Sequence, residues 1–232
     1  MTSPAASPPD AGVVIVAAGA GVRAGPGEPK QFRPILGVPM LLRALRPFTS
    51  HPEIAQVVVA LPAPYVEHPP EWLSKLAGER LRLVSGGDTR ARSVRAGLDA
   101  LAPELAIVLV HDAARPFVSR ATIDGVLARA RAGVGAVAAI PVSDTLKEVN
   151  DRRIARTVPR ERLWRAQTPQ GFPRVMLQSV YARLGDSGPT DDAALCEAAG
   201  FPVEVVPDGP ENVKVTTPED FRLAEALARE SW

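Results

Sequence analysis

Apolar residues fall along this chain in two alternating kinds of run. Short blocks of branched apolar residues recur as Val13-Val14-Ile15-Val16, Val57-Val58-Val59-Ala60, Leu81-Arg82-Leu83-Val84, Ala106-Ile107-Val108-Leu109-Val110 and Ala136-Val137-Ala138-Ala139-Ile140. Runs this short and continuous predict strands buried on both faces, as in a parallel sheet. Between them lie segments with apolar residues at helical spacing. One runs from Pro39 to Phe48 with proline in its first turn, a short one from Glu71 to Ala77, one through Val94, Leu98 and Leu101, and one from Ser119 to Ala132. Strand alternating with helix predicts an α/β fold, a doubly wound and mostly parallel sheet with right-handed crossovers.

The pattern changes after Ile140. Asp144 to Val149 and Ile154 to Val158 alternate about Asn150-Asp151, which predicts a β-hairpin. Its faces are polar, so it cannot carry a core of its own. Two readings stay open: an arm that projects and packs on a second copy of the protein, or a hairpin lying back on its own domain. Pro159 to Phe172 returns the chain to the sheet, and Pro173 to Leu184 is helical. Thr190 is placed to cap a helix opening at Asp191-Asp192. Val203 to Val206 and Asn212 to Thr216 read as the last short strands, and Pro218 opens a closing amphipathic helix to Arg229. Residues 1–11 are rich in Pro, Ser and Ala and lack the basic start and apolar core of a signal peptide. They read as a disordered tail, leaving 12–232 as one domain with 142–164 as an inserted dimerisation arm.

The turns carry the candidate chemistry. The first strand runs into Ala17-Ala18-Gly19-Ala20-Gly21-Val22-Arg23, and Lys30 follows within Pro29-Lys30-Gln31. Glycine lets backbone N–H groups approach a ligand, and the two cations would balance phosphate charge. The spacing is neither the dinucleotide fingerprint nor a Walker loop, and an ordinary glycine-rich turn is the plain alternative. A second such turn, Ser85-Gly86-Gly87-Asp88-Thr89, joins the third strand to a helix. Carboxyl ends of parallel strands share one edge, so both turns can face one ligand, with Asp88 or Thr89 also capping the helix. The fourth strand ends in His111-Asp112-Ala113-Ala114-Arg115-Pro116, where a carboxylate suits metal coordination or recognition of sugar hydroxyls.

Charge and cysteine usage narrow the classes. Among 232 residues, 27 basic and 26 acidic side chains give a formal charge of +1, which argues against a general nucleic-acid binder. Cys196 is the single cysteine, so no internal disulfide forms, which fits a reducing cytoplasm. It lies in a helical pattern and reads as a small buried residue rather than a nucleophile. The scattered His51, His68 and His111 make no zinc-type cluster, and no stretch is long and apolar enough to span a membrane.

Taken together, the motifs resemble those of the 2-C-methyl-D-erythritol 4-phosphate cytidylyltransferases. The matching pieces are Ala17-Ala18-Gly19-x-Gly21-x-Arg23, Pro29-Lys30-Gln31, Gly86-Gly87-Asp88, Ser93-Val94-x-Ala96-Gly97-Leu98, His111 to Pro116, Asp144-Thr145, Leu163-Trp164, Thr168-Pro169-Gln170, Thr190-Asp191 and Asn212 to Thr216. The first loop alone marks a broad class of sugar and alditol nucleotidyltransferases; the ordered set is more specific. The resemblance implies that CTP and the alditol phosphate yield a CDP-alditol and pyrophosphate, with a divalent cation, usually Mg²⁺. It also implies a homodimer that exchanges an arm.

The resemblance further assigns Arg23 and Lys30 to the triphosphate and the transition state, with Ala17, Ala18, Gly19 and Gly21 as backbone contacts. Gly87, Asp88 and Ser93 would serve cytosine and ribose, Ala113 CTP, and Asp112 the alditol. Arg115, Thr145, Arg160, Thr168 and Thr190 would bind the alditol phosphate, Thr145 and Arg160 from across the dimer. Lys214 would hold the reactants in line. An ionised phosphate oxygen needs no general base, consistent with the lack of an evident catalytic histidine or carboxylate pair.

Each cation also has a bland reading. Arg115 can pair structurally, Arg160 lies in a run of solvated arginines, and Lys214 sits on an expected exposed strand. Ribitol 5-phosphate as substrate, and a catalytically silent nucleotide-binding protein, are the rival functions. No residues follow Trp232, which sets the expectation of an enzyme without a fused cyclase.

Overall fold

The computed structural model describes residues 9–19, 28–184 and 191–230. In chain order the elements are β1 (Ala11–Val16), β2 (Pro34–Ile35), β3 (Val38–Pro39), α1 (Met40–Thr49), β4 (Ile54–Leu61), α2 (Ala63–Glu67), α3 (Glu71–Ser74) and β5 (Leu81–Ser85). Then come α4 (Arg90–Ala100), β6 (Ile107–Asp112), α5 (Arg120–Arg131), β7 (Gly135–Pro141), β8 (Leu146–Asn150) and β9 (Arg153–Val158). The chain ends with β10 (Trp164–Pro173), α6 (Arg174–Leu184), α7 (Asp192–Ala198), β11 (Val203–Pro207) and α8 (Pro218–Glu230).

The 7-stranded sheet has the order β11-β7-β10-β6-β1-β4-β5. All neighbours are parallel except β10, which runs antiparallel between β6 and β7. The continuous apolar runs are explained by burial on both faces. Val13 and Ile15 of β1 pack with α1 and α5 through Leu41, Phe48 and Ile123. Val14 points the other way, onto Val94 and Leu98 of α4 and the face shared with α6. Burying each such side chain contributes about 2 kcal/mol. Gly97 lets α4 sit on β1, since a Cβ there would stand 2.3 Å from Val14 Cγ1.

Several boundaries depart from the sequence reading. Ala11 is already in β1 and buried, and Asp10 pairs with Arg131 at 2.5 Å, so the structured chain reaches into the expected tail. Pro39 is the N-cap of α1 rather than in its first turn. Asp191, not Thr190, caps α7 by accepting from the Ala194 N–H at 2.9 Å; Thr190 lies outside the described residues.

Asn212–Thr216 is not a strand. Its alternation comes from Val213 and Val215 packing on one small cluster with Ile35, Met40, Ala114 and Ala224, while the Val215 N–H bonds the loop carbonyl of Ala114 at 2.8 Å. The hairpin does form. β8 and β9 make a separate two-stranded sheet, with Asp151 and Arg152 at positive φ in the turn. Val149 and Ile154, cross-strand partners near its tip, are 50% and 63% exposed, so the hairpin is a solvent-facing arm in the single chain.

Candidate active site

The carboxyl ends of β1, β4, β5 and β6 are tied edge to edge by backbone bonds. Ala17 N–H donates to Ala60 O at 2.9 Å, Gly86 N–H to Leu61 O at 2.7 Å, and Ala113 N–H to Val16 O at 3.1 Å. These bonds bring both glycine-rich turns to one edge. A Cβ on Gly86 would lie 2.4 Å from Ala18 Cβ and 2.9 Å from Ser93 Oγ, so only glycine lets the turns close on each other. Thr89 caps α4 by accepting from the Arg92 N–H, and Ser93 Oγ accepts from the Gly87 N–H at 3.2 Å. Asp88 meets Arg92 at 2.8 Å in an exposed pair that adds little stability. Gly19 is exposed at the end of the described part of the first turn; Gly21 and Arg23 lie outside the described residues.

Asp112 is the centre of the edge. Its side chain is 12% exposed and accepts from Lys214 Nζ at 2.7 Å and from Arg90 Nε at 3.4 Å. Burial alone would raise its pKa, but Arg90, Lys214 and Arg115 hold the carboxyl well below the usual carboxylate range. Lys30 Nζ donates to the carbonyl of Val215 at 3.1 Å, next in sequence to Lys214. Gln31 Nε2 donates to Ala17 O at 2.9 Å and fixes the segment that carries Lys30. The Lys30 side chain thus meets the backbone of the segment that carries Lys214, from the opposite end of the chain.

Beneath Asp112 lies a chain of buried polar groups. The Asp112 N–H donates to Thr168 Oγ1 at 3.0 Å. Thr168 Oγ1 is 3.0 Å from His111 Nδ1, and His111 Nε2 is 2.9 Å from the carbonyl of Arg115. Burial pushes the pKa of His111 down to about 4, so the imidazole is neutral at neutral pH. The carbonyl can only accept, so Nε2 donates to it and Nδ1 accepts from the Thr168 hydroxyl. Thr168 acts here by positioning Asp112. Arg115, also buried, donates to Asn212 O at 2.7 Å, anchoring the segment that carries Lys214; burial lowers its pKa despite Asp112 and Asp208 nearby.

Arg90 was missed from the sequence. It bridges Asp112 and the fully buried Asp192, whose Oδ2 is 2.6 Å from Arg90 NH1 and whose Oδ1 accepts from Tyr181 OH at 2.6 Å. Burial opposes the charge on Arg90, but the two carboxylates raise its pKa above the ordinary arginine value. A signal existed: a cation at the first position of a helix is unfavourable against the helix dipole, unless an acid elsewhere holds it.

Not every expected residue joins this group. Thr145 and Arg160 are exposed at the base of the arm, and Arg160 donates to the Ser143 carbonyl of its own chain. A cavity of about 340 Å³ opens beside Lys214 and Arg115. A larger one, about 560 Å³, lies at the opposite sheet edge near Leu105 and Pro173 and touches none of the expected site residues.

Among the described residues, His51, Glu53 and Asp124 could together hold a metal ion, but they come from the α1–β4 turn and α5 and include no expected site residue. At the site itself Asp112 offers the carboxylate. That fits Mg²⁺ held chiefly by substrate phosphates and water, with one or two protein carboxylates. No helix of the described residues is long and apolar enough to cross a membrane.

Comparison with known proteins agrees with this arrangement. The family model of 2-C-methyl-D-erythritol 4-phosphate cytidylyltransferase (IspD) matches residues 11–230. The cytidylyltransferase of that name from Frankia casuarinae is 44% identical over 226 residues, covering 97% of this chain and 83% of the relative. The bifunctional enzyme IspD/IspF of Desulfotalea psychrophila is 38% identical over 218 residues, and there the match covers 94% of this chain but 56% of the relative. The chain thus spans little more than half of the bifunctional relatives and most of the single ones. The crystal structure of the enzyme from Thermus thermophilus superposes with a TM-score of 0.78 at 40% identity, covering 94% of this chain and 98% of that one. The chain belongs to the 2-C-methyl-D-erythritol 4-phosphate cytidylyltransferase family of nucleotidyltransferases.

Proposed function

We propose that this chain converts CTP and 2-C-methyl-D-erythritol 4-phosphate to 4-diphosphocytidyl-2-C-methyl-D-erythritol and pyrophosphate, a step of isoprenoid precursor synthesis. The observation that carries the reading is the ion pair of Lys214 with Asp112 at the sheet edge where the two glycine-rich turns meet, with Lys30 anchored on the backbone of the segment that carries Lys214. An alditol phosphate oxygen attacks the α-phosphorus of CTP, a new P–O bond forms, and the bond to the β-phosphate bridging oxygen breaks as pyrophosphate leaves. The obstacle is repulsion between anions, about 4 kcal/mol for each pair of unit charges 4 Å apart at an effective dielectric of about 20. Fixed cations remove it without reorganising during the reaction.

Arg23 and Lys30 take the triphosphate and the departing pyrophosphate, with Ala17, Ala18, Gly19 and Gly21 supplying backbone contacts. Gly87, Asp88, Ser93 and Ala113 take the cytidine. Lys214, held on Asp112, keeps the attacking phosphate in line; Asp112 also takes an alditol hydroxyl. The monoester has its second pKa near 6, so the nucleophile is already ionised at neutral pH. Mg²⁺ brought by the nucleotide would supply further neutralisation of the triphosphate.

We also propose a homodimer. The exposed Val149–Ile154 pair supports packing of the 142–164 arm on a second copy, which would carry Thr145 and Arg160 to the partner's alditol phosphate, beside Arg115, Thr168 and Thr190. A cytoplasmic setting fits ionised small substrates and the free Cys196.

The test is pyrophosphate release with CTP, ATP, GTP and UTP against methylerythritol phosphate and ribitol 5-phosphate. CTP with methylerythritol phosphate should give the highest kcat/KM. A preference for ribitol phosphate would replace the substrate, and silence with every pair would leave a nucleotide-binding protein.

A further inference from the structure

The cavity beside Lys214 carries more positive charge than the described residues neutralise. Arg115, Arg165 and Lys214 line it, with Ile140, Gln167 and Asn212 among the other walls. Lys214 shares its carboxylate, Asp112, with Arg90. Asp208, the other acid whose charge reaches Arg115, is spent on Thr122 Oγ1 at 2.6 Å, Asn212 Nδ2 at 2.6 Å and the Gly209 N–H at 2.8 Å. The Arg165 side chain makes no hydrogen bond or ion pair with any described residue, and its charge bears on Arg115 as a like-charged neighbour. A solvated arginine is the default on an exposed strand end, but two guanidinium groups on one cavity wall repel each other unless an anion lies between them.

Position strengthens the case. Arg165 lies on β10 directly across from the buried Ile140 of β7, so its backbone is fixed at the sheet edge where Asp112 sits. The next residue, Ala166, accepts from Arg115 at 3.5 Å, which keeps the two arginines together. A guanidinium offers paired N–H donors that match two oxygens of a phosphate.

We propose that Arg165 is a substrate-binding residue that, with Arg115 and Lys214, takes the phosphate monoester dianion of the acceptor substrate. The inference rests on the cytidylyltransferase reading and adds a residue to it. The phosphate keeps its negative oxygens both before and during attack, so Arg165 binds ground state and transition state alike. Its loss shows in KM for the alditol phosphate rather than in kcat.

The experiment compares Arg165→Gln and Arg165→Lys with the parent in steady-state turnover of CTP and methylerythritol phosphate. The expected result for Arg165→Gln is a rise of about tenfold in KM for the alditol phosphate, the loss of one charge-assisted contact, with kcat and KM for CTP within about twofold. Arg165→Lys should recover part of it. A change below about twofold in that KM, or an equal rise for CTP, overturns the inference while leaving the reading intact. If the parent itself releases no pyrophosphate with this pair, the cytidylyltransferase reading fails. The anion site is then decided by calorimetric titration with inorganic phosphate: weaker binding by Arg165→Gln supports it, and equal binding overturns it.

Discussion

Asp112 is useful because it is over-determined: Lys214, Arg90 and the Thr168 hydroxyl fix it from three directions. Removing Arg90 frees one of these and leaves Asp192, a fully buried acid, with Tyr181 as its one remaining side-chain partner among the described residues. Arg90→Ala should therefore cost about 3–5 kcal/mol in urea unfolding, whereas an exposed pair such as Asp88–Arg92 should cost under about 1 when broken. Lys30 is only half-buried at the rim of the fold, so Lys30→Ala should leave the melting temperature nearly unchanged while lowering kcat by about 10²-fold or more. Near-normal turnover would remove Lys30 from the chemistry.

His111 sets an acid limit on stability. Unfolded, it binds a proton with an ordinary pKa of 6.5; folded, not until about 4. Between those values the unfolded state holds more protons, so stability falls as pH drops through the window, by about 3 kcal/mol in all. Below it Asp112 takes over: its pKa is depressed, so its contribution is present above the ordinary 3.8 and is lost as pH falls beneath that value. In pH-dependent denaturation, His111→Gln should flatten the slope between pH 6.5 and 4 and leave the lower one. The sequence marked Asp112, Lys30 and Lys214 because their neighbours form recognisable motifs. It did not mark Arg90, Asp192 or Tyr181, whose meaning comes from the fold bringing together Arg90 and Asp192, 102 positions apart.

At the scale of elements, strands buried on both faces were the easiest to read, because their apolar runs admit few other structures. The direction of β10 was not legible, since antiparallel pairing depends on where the arm re-enters. Asn212–Thr216 misled because a loop pinned on one side repeats with the same period as a strand. The two glycine-rich turns were read as neighbours, and Gly86 shows what that contact demands. Its backbone φ is ordinary, so Gly86→Ala fails by overlap, chiefly with Ala18 and also with Ser93. Forcing the turns apart should raise KM for CTP by about tenfold or more and cost about 1–3 kcal/mol of stability, measured by nucleotide titration and melting.

For the whole molecule, the decisive unknown in the sequence was whether the hairpin lies back or stands out, since both choices obey the same alternation. It stands out, with Val149 and Ile154 in solvent. Ile154→Asp should leave the single chain as stable as before, lower self-association by about tenfold or more in sedimentation, and depress activity at low enzyme concentration. Equal self-association of parent and variant would remove the arm from the interface.

Trp164 pairs with Pro141 across the sheet, so the chain departs and comes home at adjoining points of one rim. Whatever is spliced between those points leaves the strand register behind them untouched. The hairpin can accordingly be lengthened or shortened at its tip while the sheet keeps its shape and Thr145 and Arg160 keep their places at its base.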